Sequence, residues 1–457
     1  MTSDIDGLTM TDQSVAGLLP PPPVPAARRV RLPAGVPDRL RRGLADGMIR
    51  NSILLVANQL LGAAVGFVFT VMAAHLYSPG RLGVSTSALS AVALVLSLSG
   101  FGLSYSVVRM LPTAPDRAAM LDTCFTVAAG GMLLATTAFL LSPASAGIRR
   151  AGGSYIVVAL LVGGVLTSLQ GVAESSFIAN RDAGRLVRAT LVSSGVRLGL
   201  LVVLLPIGAL AAFSAQAAAW ATALALLVYR LCRGGAYRPR VRIDRVSVQL
   251  LWRFSMGNYL AALVGGIPAT VLPLLLLDKW GTASVTYWYV AYAVASLLFT
   301  LPSMVSRSML AEGSYQEAGR LSLIRKGSQL IAGTVLPILA VAYVAAPLLL
   351  QMFGASYGHA AVGLLRYLVA SAVMVAANFI FGTVLYLDKR VFFSTLVNAA
   401  NAAVVLLLAV LASSSLVDIG RAWFWGEVVN VVLFGAGAWW VVRNRREAWA
   451  DGAAVTG

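Results

Sequence analysis

Long apolar runs alternate with short polar connections along the chain from residue 51 onward. Each run has about 20 residues, which at a helical rise of about 1.5 Å per residue is enough to cross a hydrocarbon layer about 30 Å thick. The runs lack the ten-residue alternation of membrane β-strands, so helices are predicted. Twelve spans are predicted, at about residues 51–76, 84–108, 120–142, 155–178, 187–210, 213–232, 254–277, 285–306, 327–351, 361–387, 392–412 and 420–442.

The composition agrees with a membrane protein. Hydrophobic residues make up 58% of the chain and charged residues only 12%, and the mean hydropathy is +0.81. These values lie far outside the range of soluble domains. The sequence therefore predicts an all-α polytopic membrane protein.

The distribution of Lys and Arg predicts the orientation in the membrane. With the N-terminus in the cytoplasm, 28 of the 35 basic residues fall on the cytoplasmic side, five fall on the opposite side and two lie inside spans. This asymmetry follows the positive-inside rule, so we expect a multi-pass protein of the cytoplasmic membrane with both termini in the cytoplasm. The net charge of +17 is thus mostly topological. Because the basic residues are dispersed among short loops, a nucleic-acid partner is not expected.

The two ends of the chain and its cysteines add little chemistry. Residues 1–46 are rich in Pro and Arg without an apolar period and predict a disordered, basic cytoplasmic tail. The first apolar run is a full span and not a cleaved signal peptide. Cys124 and Cys232 lie in or near different spans, so no disulfide framework is predicted, and with two His residues no metal site and no cofactor are indicated.

An internal repeat predicts two halves. The segments 83–109 and 281–307 align at an offset of 198 residues, with Gly83 on Gly281 and Arg109 on Arg307. The ends of spans 4 and 10, "FIANR" and "LYLDK", align at an offset of 208, which places Gln170 opposite Asn378. Since six spans separate the halves, both run the same way through the bilayer. The predicted domains are an N-lobe at 47–232, a cytoplasmic strap at 233–253, a C-lobe at 254–443 and a tail at 444–457.

Several segments resemble a known transporter family. "HLYSPGRLGV" at residues 75–84 resembles the short turn after the first span of the oligosaccharide flippases in the multidrug/oligosaccharidyl-lipid/polysaccharide (MOP) exporter superfamily. "MLAEGS" at 309–314 and "MFGASYGHAAVGLLRYLVAS" at 352–371 resemble the C-terminal half of those proteins. The resemblance covers roughly residues 48–443, and His75 stands where relatives commonly have Arg.

The resemblance implies a MATE-like fold and a flippase that works by alternating access. Its expected cargo is an undecaprenyl-diphosphate-linked oligosaccharide, turned over from the cytoplasmic to the outer leaflet for surface polysaccharide biosynthesis. The implied partners are this lipid-linked oligosaccharide, membrane lipids and glycosyltransferases of the same pathway. No enzymatic activity is expected.

Two arginines inside spans fit an anionic cargo. Arg197 lies near the middle of span 5 and Arg366 lies closer to the outer end of span 10. A guanidinium keeps its charge and can bind phosphate oxygens bidentately, so both are candidate ligands of the diphosphate. The alternatives are structural, because Arg366 can extend to the outer headgroups and Arg197 can pair with a carboxylate or with helix-end carbonyls.

Uncharged polar residues inside spans are further candidates for the binding cavity. Such residues serve either to hold helices together or to bind sugar hydroxyls. Two carboxylates, Glu174 and Glu427, lie well inside spans and are candidate ion-coupling sites or partners of Arg197. The amides of the candidate substrate site are Asn58, Gln170, Asn258 and Asn378, with Gln59, Asn398 and Asn401 as additional polar positions.

Three other functions are alternatives to the flippase. A multidrug or small-molecule antiporter of the same superfamily shares the fold, but cationic drugs require buried carboxylates, and Glu174 is the only carboxylate well inside an N-lobe span. A membrane glycosyltransferase or polymerase would place acidic or metal-binding residues in sizeable outer loops, which here are mostly short. A purely structural scaffold would need no polar interior between its helices.

Overall fold

The computed structural model describes residues 47–100, 102–233, 237–315, 319–412 and 415–450. The predicted tail at 1–46 and the last residues of the predicted tail at 444–457 lie outside the described residues. The chain divides into a unit of residues 1–53 and a unit of residues 54–457. In the first unit, the described residues form the start of a helix at Gly47. The contacts that form the fold and its cavities lie inside the second unit.

The predicted all-α fold with twelve spans is confirmed. Across the described ranges the chain forms helices joined by turns, with no β-strand, and twelve of the helices are long and apolar enough to cross a membrane. Spans 1 to 12 are the helices Gly47–Leu76, Pro79–Ser99, Arg117–Leu141, Tyr155–Ala179, Ala183–Val203, Ala211–Cys232, Arg245–Trp280, Thr282–Tyr315, Arg320–Val344, Val362–Leu387, Val391–Leu411 and Leu416–Ala450.

Span 2 ends earlier than its apolar run suggests. It is predicted to continue to residue 108, but it stops at Ser99 and a separate short helix, Leu103–Met110, follows. Gly102 between them has φ +66°, a left-handed conformation that glycine adopts at little cost. Hydrophobicity continues through this break, so the apolar pattern alone does not reveal it.

Span 7 begins inside the segment predicted to be the strap. Its N-cap is Asp244, whose carboxylate accepts hydrogen bonds from the backbone N–H of Ser247 at 2.9 Å and from its hydroxyl at 2.8 Å. The backbone hydrogen bond holds the pKa of Asp244 below its ordinary value. The helix then continues through Pro268 and Pro273 to Trp280. Span 12 likewise runs on to Ala450, past the predicted end of the C-lobe.

The preceding part of the strap, residues 237–244, is hydrogen-bonded to span 3. The Asp122 carboxylate is 3% exposed and accepts hydrogen bonds from the Tyr237 hydroxyl at 2.9 Å and the Arg240 backbone N–H at 3.0 Å. The Thr123 hydroxyl accepts one from the Asp244 backbone N–H at 2.9 Å. This segment defines the strap face of the molecule, and the other ends of the spans form the far face.

The backbone supports the internal repeat at the ends of spans 4 and 10. In the described ranges, Arg181 with φ 55° and Lys389 with φ 60° are the non-glycine residues of positive φ. They are the aligned pair at the offset of 208. Each is followed by the same closing hydrogen bond, from the Asp182 N–H to the Phe177 carbonyl and from the Arg390 N–H to the Leu385 carbonyl, both 2.9 Å. The two halves therefore end these spans in the same way.

The two lobes meet at the far face through spans 2 and 8. A Cβ atom at Gly83 would lie only 1.9 Å from the backbone oxygen of Thr282, so the two backbones approach as closely as glycine allows. The Thr286 hydroxyl donates to the Pro79 carbonyl at 2.6 Å. Nearby, Arg150 and Asp278 form an exposed ion pair at 3.5 Å. The far face is therefore closed between the lobes.

Candidate functional site

Each lobe contains a polar cavity between its own helices. The cavity in the N-lobe has a volume of about 280 Å³ and lies between spans 1, 4, 5 and 6. The cavity in the C-lobe has a volume of about 220 Å³ and lies mainly between spans 10, 11 and 12, with one residue each from spans 7 and 8. Because spans 4, 5 and 6 correspond to spans 10, 11 and 12 in the repeat, the two cavities occupy equivalent places.

The N-lobe cavity brings together four of the predicted site residues. Asn58 of span 1, Gln170 and Glu174 of span 4, and Arg197 of span 5 all line it. Gln170 and Glu174 are one helical turn apart, and the amide of Gln170 donates to the Glu174 carboxylate at 2.7 Å. A cation and a carboxylate thus share one membrane-embedded cavity.

Arg197 is held in this cavity by an aromatic ring. Its guanidinium carbon lies 3.8 Å from the centroid of the Phe69 ring, a cation–π contact with span 1. Its Nε atom is buried and has no hydrogen-bond partner in the described chain. No carboxylate among the described residues lies within 4.0 Å of the guanidinium, so the predicted alternative of an ion pair with Glu174 or Glu427 is not formed. The guanidinium therefore keeps donor capacity for a ligand.

The C-lobe cavity is organised around Glu427, which is 7% exposed. Its carboxylate accepts hydrogen bonds from the amides of Asn378 at 2.8 Å, Asn401 at 3.4 Å and Asn430 at 3.5 Å. Three donors around one carboxylate favour its charged form by hydrogen bonding, whereas burial disfavours it. Among the described residues lining this cavity there is no Lys or Arg.

Unpartnered amide oxygens mark both cavities. Buried polar atoms in proteins usually have a hydrogen-bond partner, so those without one indicate where water, an ion or a ligand binds. In the N-lobe cavity these oxygens belong to Asn58 and Gln170. In the C-lobe cavity they belong to Asn378, Asn401 and Asn430. Gln170 and Asn378, the pair aligned in the repeat, thus have the same role in their own lobes: each donates to a glutamate and leaves its oxygen free.

Two predicted site residues are not brought into these cavities by the described contacts. Arg366 is exposed, and its guanidinium carbon lies 5.7 Å from the centroid of the Tyr343 ring in span 9. It lines neither polar cavity. Asn258 stands in the helix of span 7, but its side chain lies outside the described residues.

Some cavity residues were not singled out from the sequence. Gln216 and Ser193 line the N-lobe cavity, and Asn430 lines the C-lobe cavity. Asn430 could have been found, because it stands three residues after Glu427 and positions i and i+3 share a helix face. The hydroxyls of span 5 give no comparable signal, since serines in apolar helices commonly bond to the backbone of the preceding turn, as Ser193 does to Thr190.

Comparison with known proteins places this geometry in context. A family model described as "Polysaccharide biosynthesis protein" matches residues 71–362. No curated protein sequence matches the chain significantly.

Among solved structures, an outward-facing multidrug resistance MATE family transporter of the MOP superfamily matches with a TM-score of 0.60 and 14% identity, over 87% of this chain and 96% of that one. An inward-facing structure of the same description matches with a TM-score of 0.57 and 15% identity, over 91% and 99%. A MOP superfamily transporter from Pyrococcus furiosus, described as having a binding pocket of reverse polarity, matches with a TM-score of 0.55 and 15% identity. The match covers 88% of this chain and 96% of that one.

Proposed function

Since this chain belongs to the polysaccharide biosynthesis protein family and has the fold of MOP-superfamily transporters, we propose that it is a flippase for lipid-diphosphate-linked oligosaccharides. The cargo enters from the cytoplasmic leaflet, is held by its anionic head at Arg197 in the N-lobe cavity, and leaves in the outer leaflet. The protein thereby exports the building blocks of a surface polysaccharide.

The observation that carries this proposal is the unpaired guanidinium of Arg197. A central arginine in a membrane helix costs about 2.5–3.5 kcal/mol on insertion scales, so its retention calls for a partner. Its Nε has no partner and no carboxylate lies within 4.0 Å in the described chain. A diphosphate supplies paired acceptor oxygens of opposite charge, which match the planar fork of the guanidinium. The free amide oxygens of Asn58 and Gln170 are acceptors for sugar hydroxyls.

The proposed driving force is electrical. Moving a diphosphate with about two negative charges outward across 100 mV, inside negative, releases about 4.6 kcal/mol, at about 2.3 kcal/mol per charge. We propose that Glu174 and Glu427 add a cation-coupled step, because both carboxylates stand inside spans and Glu427 is almost fully buried. An antiporter for cationic drugs would use the same two carboxylates, Glu174 and Glu427. The two functions differ in their cargo, which is an anionic lipid-linked sugar for the flippase and a cation for the antiporter.

The proposed orientation places the strap face in the cytoplasm. Single cysteines at positions 240 and 149, in protein lacking Cys124 and Cys232, test it with a membrane-impermeant maleimide in intact cells. Both positions are exposed and lie on opposite faces. We expect labelling at 149 and protection at 240 until the cells are opened. Labelling of 240 alone would reverse the assignment of leaflets.

The proposed activity is tested by reconstitution. Vesicles that contain the purified protein and a fluorescent undecaprenyl-diphosphate-linked sugar are expected to equilibrate the lipid between leaflets, and an inside-negative potential is expected to favour the outward direction. Na⁺ and pH gradients in the same vesicles measure cation coupling. Vesicles with a phosphatidylcholine of matched fluorescence are the control. Transport of a cationic dye with no movement of the lipid-linked sugar would favour the antiporter instead.

A further inference from the structure

A third cavity lies on the N-lobe at the far face, outside the two polar cavities. Its volume is about 640 Å³. It is formed by spans 2, 4 and 6, the short helix Ala146–Gly152 and the turn Leu205–Leu210. Its lining is predominantly apolar and includes Val84, Ala151, Val158, Val162, Ile207 and Phe213.

The mouth of this cavity carries large exposed hydrophobic side chains. Tyr155 is 79% exposed, Val158 61% and Ile207 58%. In a chain that spans a membrane, such side chains face the hydrocarbon of the bilayer and not water. The cavity therefore opens sideways to lipid, and we call it the lateral groove.

Basic residues are concentrated beside the lateral groove. Apart from Arg366, which lies inside span 10 near the same face, the far face carries five Lys and Arg residues, and three of them adjoin groove-lining positions. Arg149 and Arg150 directly precede Ala151, and Arg81 stands one helical turn before Val84. The face that is poorest in Lys and Arg thus has half of them next to the lining of one apolar groove.

The remaining two basic residues of the far face are occupied elsewhere. Lys279 donates to the backbone carbonyls of Ala409 and Ala412 at the end of span 11. Arg421 donates to the Tyr367 hydroxyl at 3.3 Å and pairs with Asp418 at 3.4 Å, a carboxylate three residues earlier on its own helix.

The three arginines beside the groove have fewer hydrogen-bond and ion-pair partners than Lys279 and Arg421. Within the described chain, the side chains of Arg81 and Arg149 have no hydrogen-bond or ion-pair partner. Arg150 donates from its Nε to the Ala146 carbonyl at 3.3 Å and has one carboxylate partner, Asp278 at 3.5 Å, and the arginine side chain is 78% exposed. Exposed pairs of this kind contribute little stabilisation, so Arg150 can exchange its partner for another anion.

We propose that the lateral groove binds an anionic phospholipid of the far-side leaflet. One acyl chain lies in the groove, and the phosphate lies among Arg81, Arg149 and Arg150. An apolar groove whose lining residues are followed or preceded by arginines in the chain matches a molecule with a hydrocarbon chain and an anionic head. We assign the site to a bilayer phospholipid and not to the cargo because the groove opens to the surrounding bilayer, where phospholipid is abundant. This site does not depend on the proposed flippase activity.

Native mass spectrometry of the full-length, delipidated protein tests the proposal by titration with phosphatidylglycerol and phosphatidylcholine of equal chain length. We expect the first bound lipid to be phosphatidylglycerol with a preference of about 30-fold to 150-fold, as two or three basic side chains near a phosphate would give. The double variant Arg81→Gln/Arg149→Gln should lose this preference, whereas Arg421→Gln on the same face should keep it. Val158→Trp, which fills the groove, should weaken binding of the first lipid.

Leu134→Trp is the matched control for groove filling, because Leu134 is 75% exposed on span 3 and does not line the groove. Equal binding of the two phospholipids by the native protein, or an unchanged preference in the double glutamine variant, would overturn the proposal. Selective binding of a polyprenyl diphosphate that phosphatidylglycerol cannot displace would also overturn it, because the occupant would then be the cargo.

Discussion

Replacement of Gly83 by valine is expected to reduce lipid flipping at least about tenfold while leaving a folded protein. The Cβ atom of any other residue at this position would lie 1.9 Å from the oxygen, 2.4 Å from the carbonyl carbon and 2.9 Å from the Cα of Thr282. These are backbone atoms of span 8 and cannot turn aside as a side chain can. Spans 2 and 8 must then separate, so the lobes cannot close at the far face, and we expect the proposed alternating access to stop.

Closure of the far face can be measured directly. Spin labels at positions 81 and 278, in variants of the cysteine-free protein, report the distance between the lobes by pulsed electron paramagnetic resonance. Gly83→Val should shift this distance to longer values. Gly80→Ala is the matched control, because a Cβ there meets only the Thr282 hydroxyl at 3.7 Å, an ordinary van der Waals contact. A Gly83→Val protein that flips lipid at the native rate with an unchanged distance would contradict the role of this contact.

The fold could be predicted from the sequence because the membrane limits the possible structures. A run of about 20 apolar residues in lipid must be a helix, so the pattern determined the number of spans. The repeat could also be detected, and the left-handed residues Arg181 and Lys389 now give it a structural basis. Helix ends could not be predicted as well. The break at Gly102 and the start of span 7 at Arg245 depend on local backbone geometry and capping, which the hydropathy pattern does not record.

The residues of the candidate site were largely named from the sequence, but their grouping was not. Polar residues inside apolar spans are conspicuous, so Arg197, Gln170 and Glu427 could be selected one by one. Which of them share a cavity depends on how helices distant in the chain rotate about their axes. The structure places Arg197 with Gln170 and Glu174, and places Glu427 with asparagines of spans 10, 11 and 12.

Arg366 also shows that the sequence does not reveal which residues share a cavity, because this predicted site residue lies outside both polar cavities. In the sequence it resembles Arg197, since both are single arginines within apolar spans. In the structure it is exposed and lies beside the Tyr343 ring. An arginine side chain is long enough to place its charge well away from its own Cα, so depth along a helix does not determine which environment it occupies.

Arg197→Gln is expected to reduce flipping of the lipid-linked sugar by about tenfold to a hundredfold, with protein abundance near normal. Hydrogen bonds to charged groups contribute about 1.5–3 kcal/mol, and glutamine retains neither the charge nor the bidentate fork. The glutamine side chain is smaller and uncharged, so its burial against Phe69 should not unfold span 5. The measurement is the initial rate of leaflet exchange in vesicles that contain equal amounts of each variant.

The variant Arg197→Lys tests whether Arg197 binds the diphosphate or only stabilises the packing of spans 1 and 5. Lysine keeps the positive charge but presents a compact ammonium in place of the planar fork, so a role in diphosphate binding predicts partial recovery of the rate. Arg188→Gln is the matched control, because Arg188 is exposed on the same helix, nine residues nearer the strap face, and does not line the cavity. It should flip lipid at the native rate. If Arg197 instead holds spans 1 and 5 together through Phe69, both Arg197 variants should lose thermal stability and folded protein in parallel with activity. That outcome would remove the observation on which the proposed cargo depends, because an arginine needed only for packing gives no reason to expect an anion in the cavity.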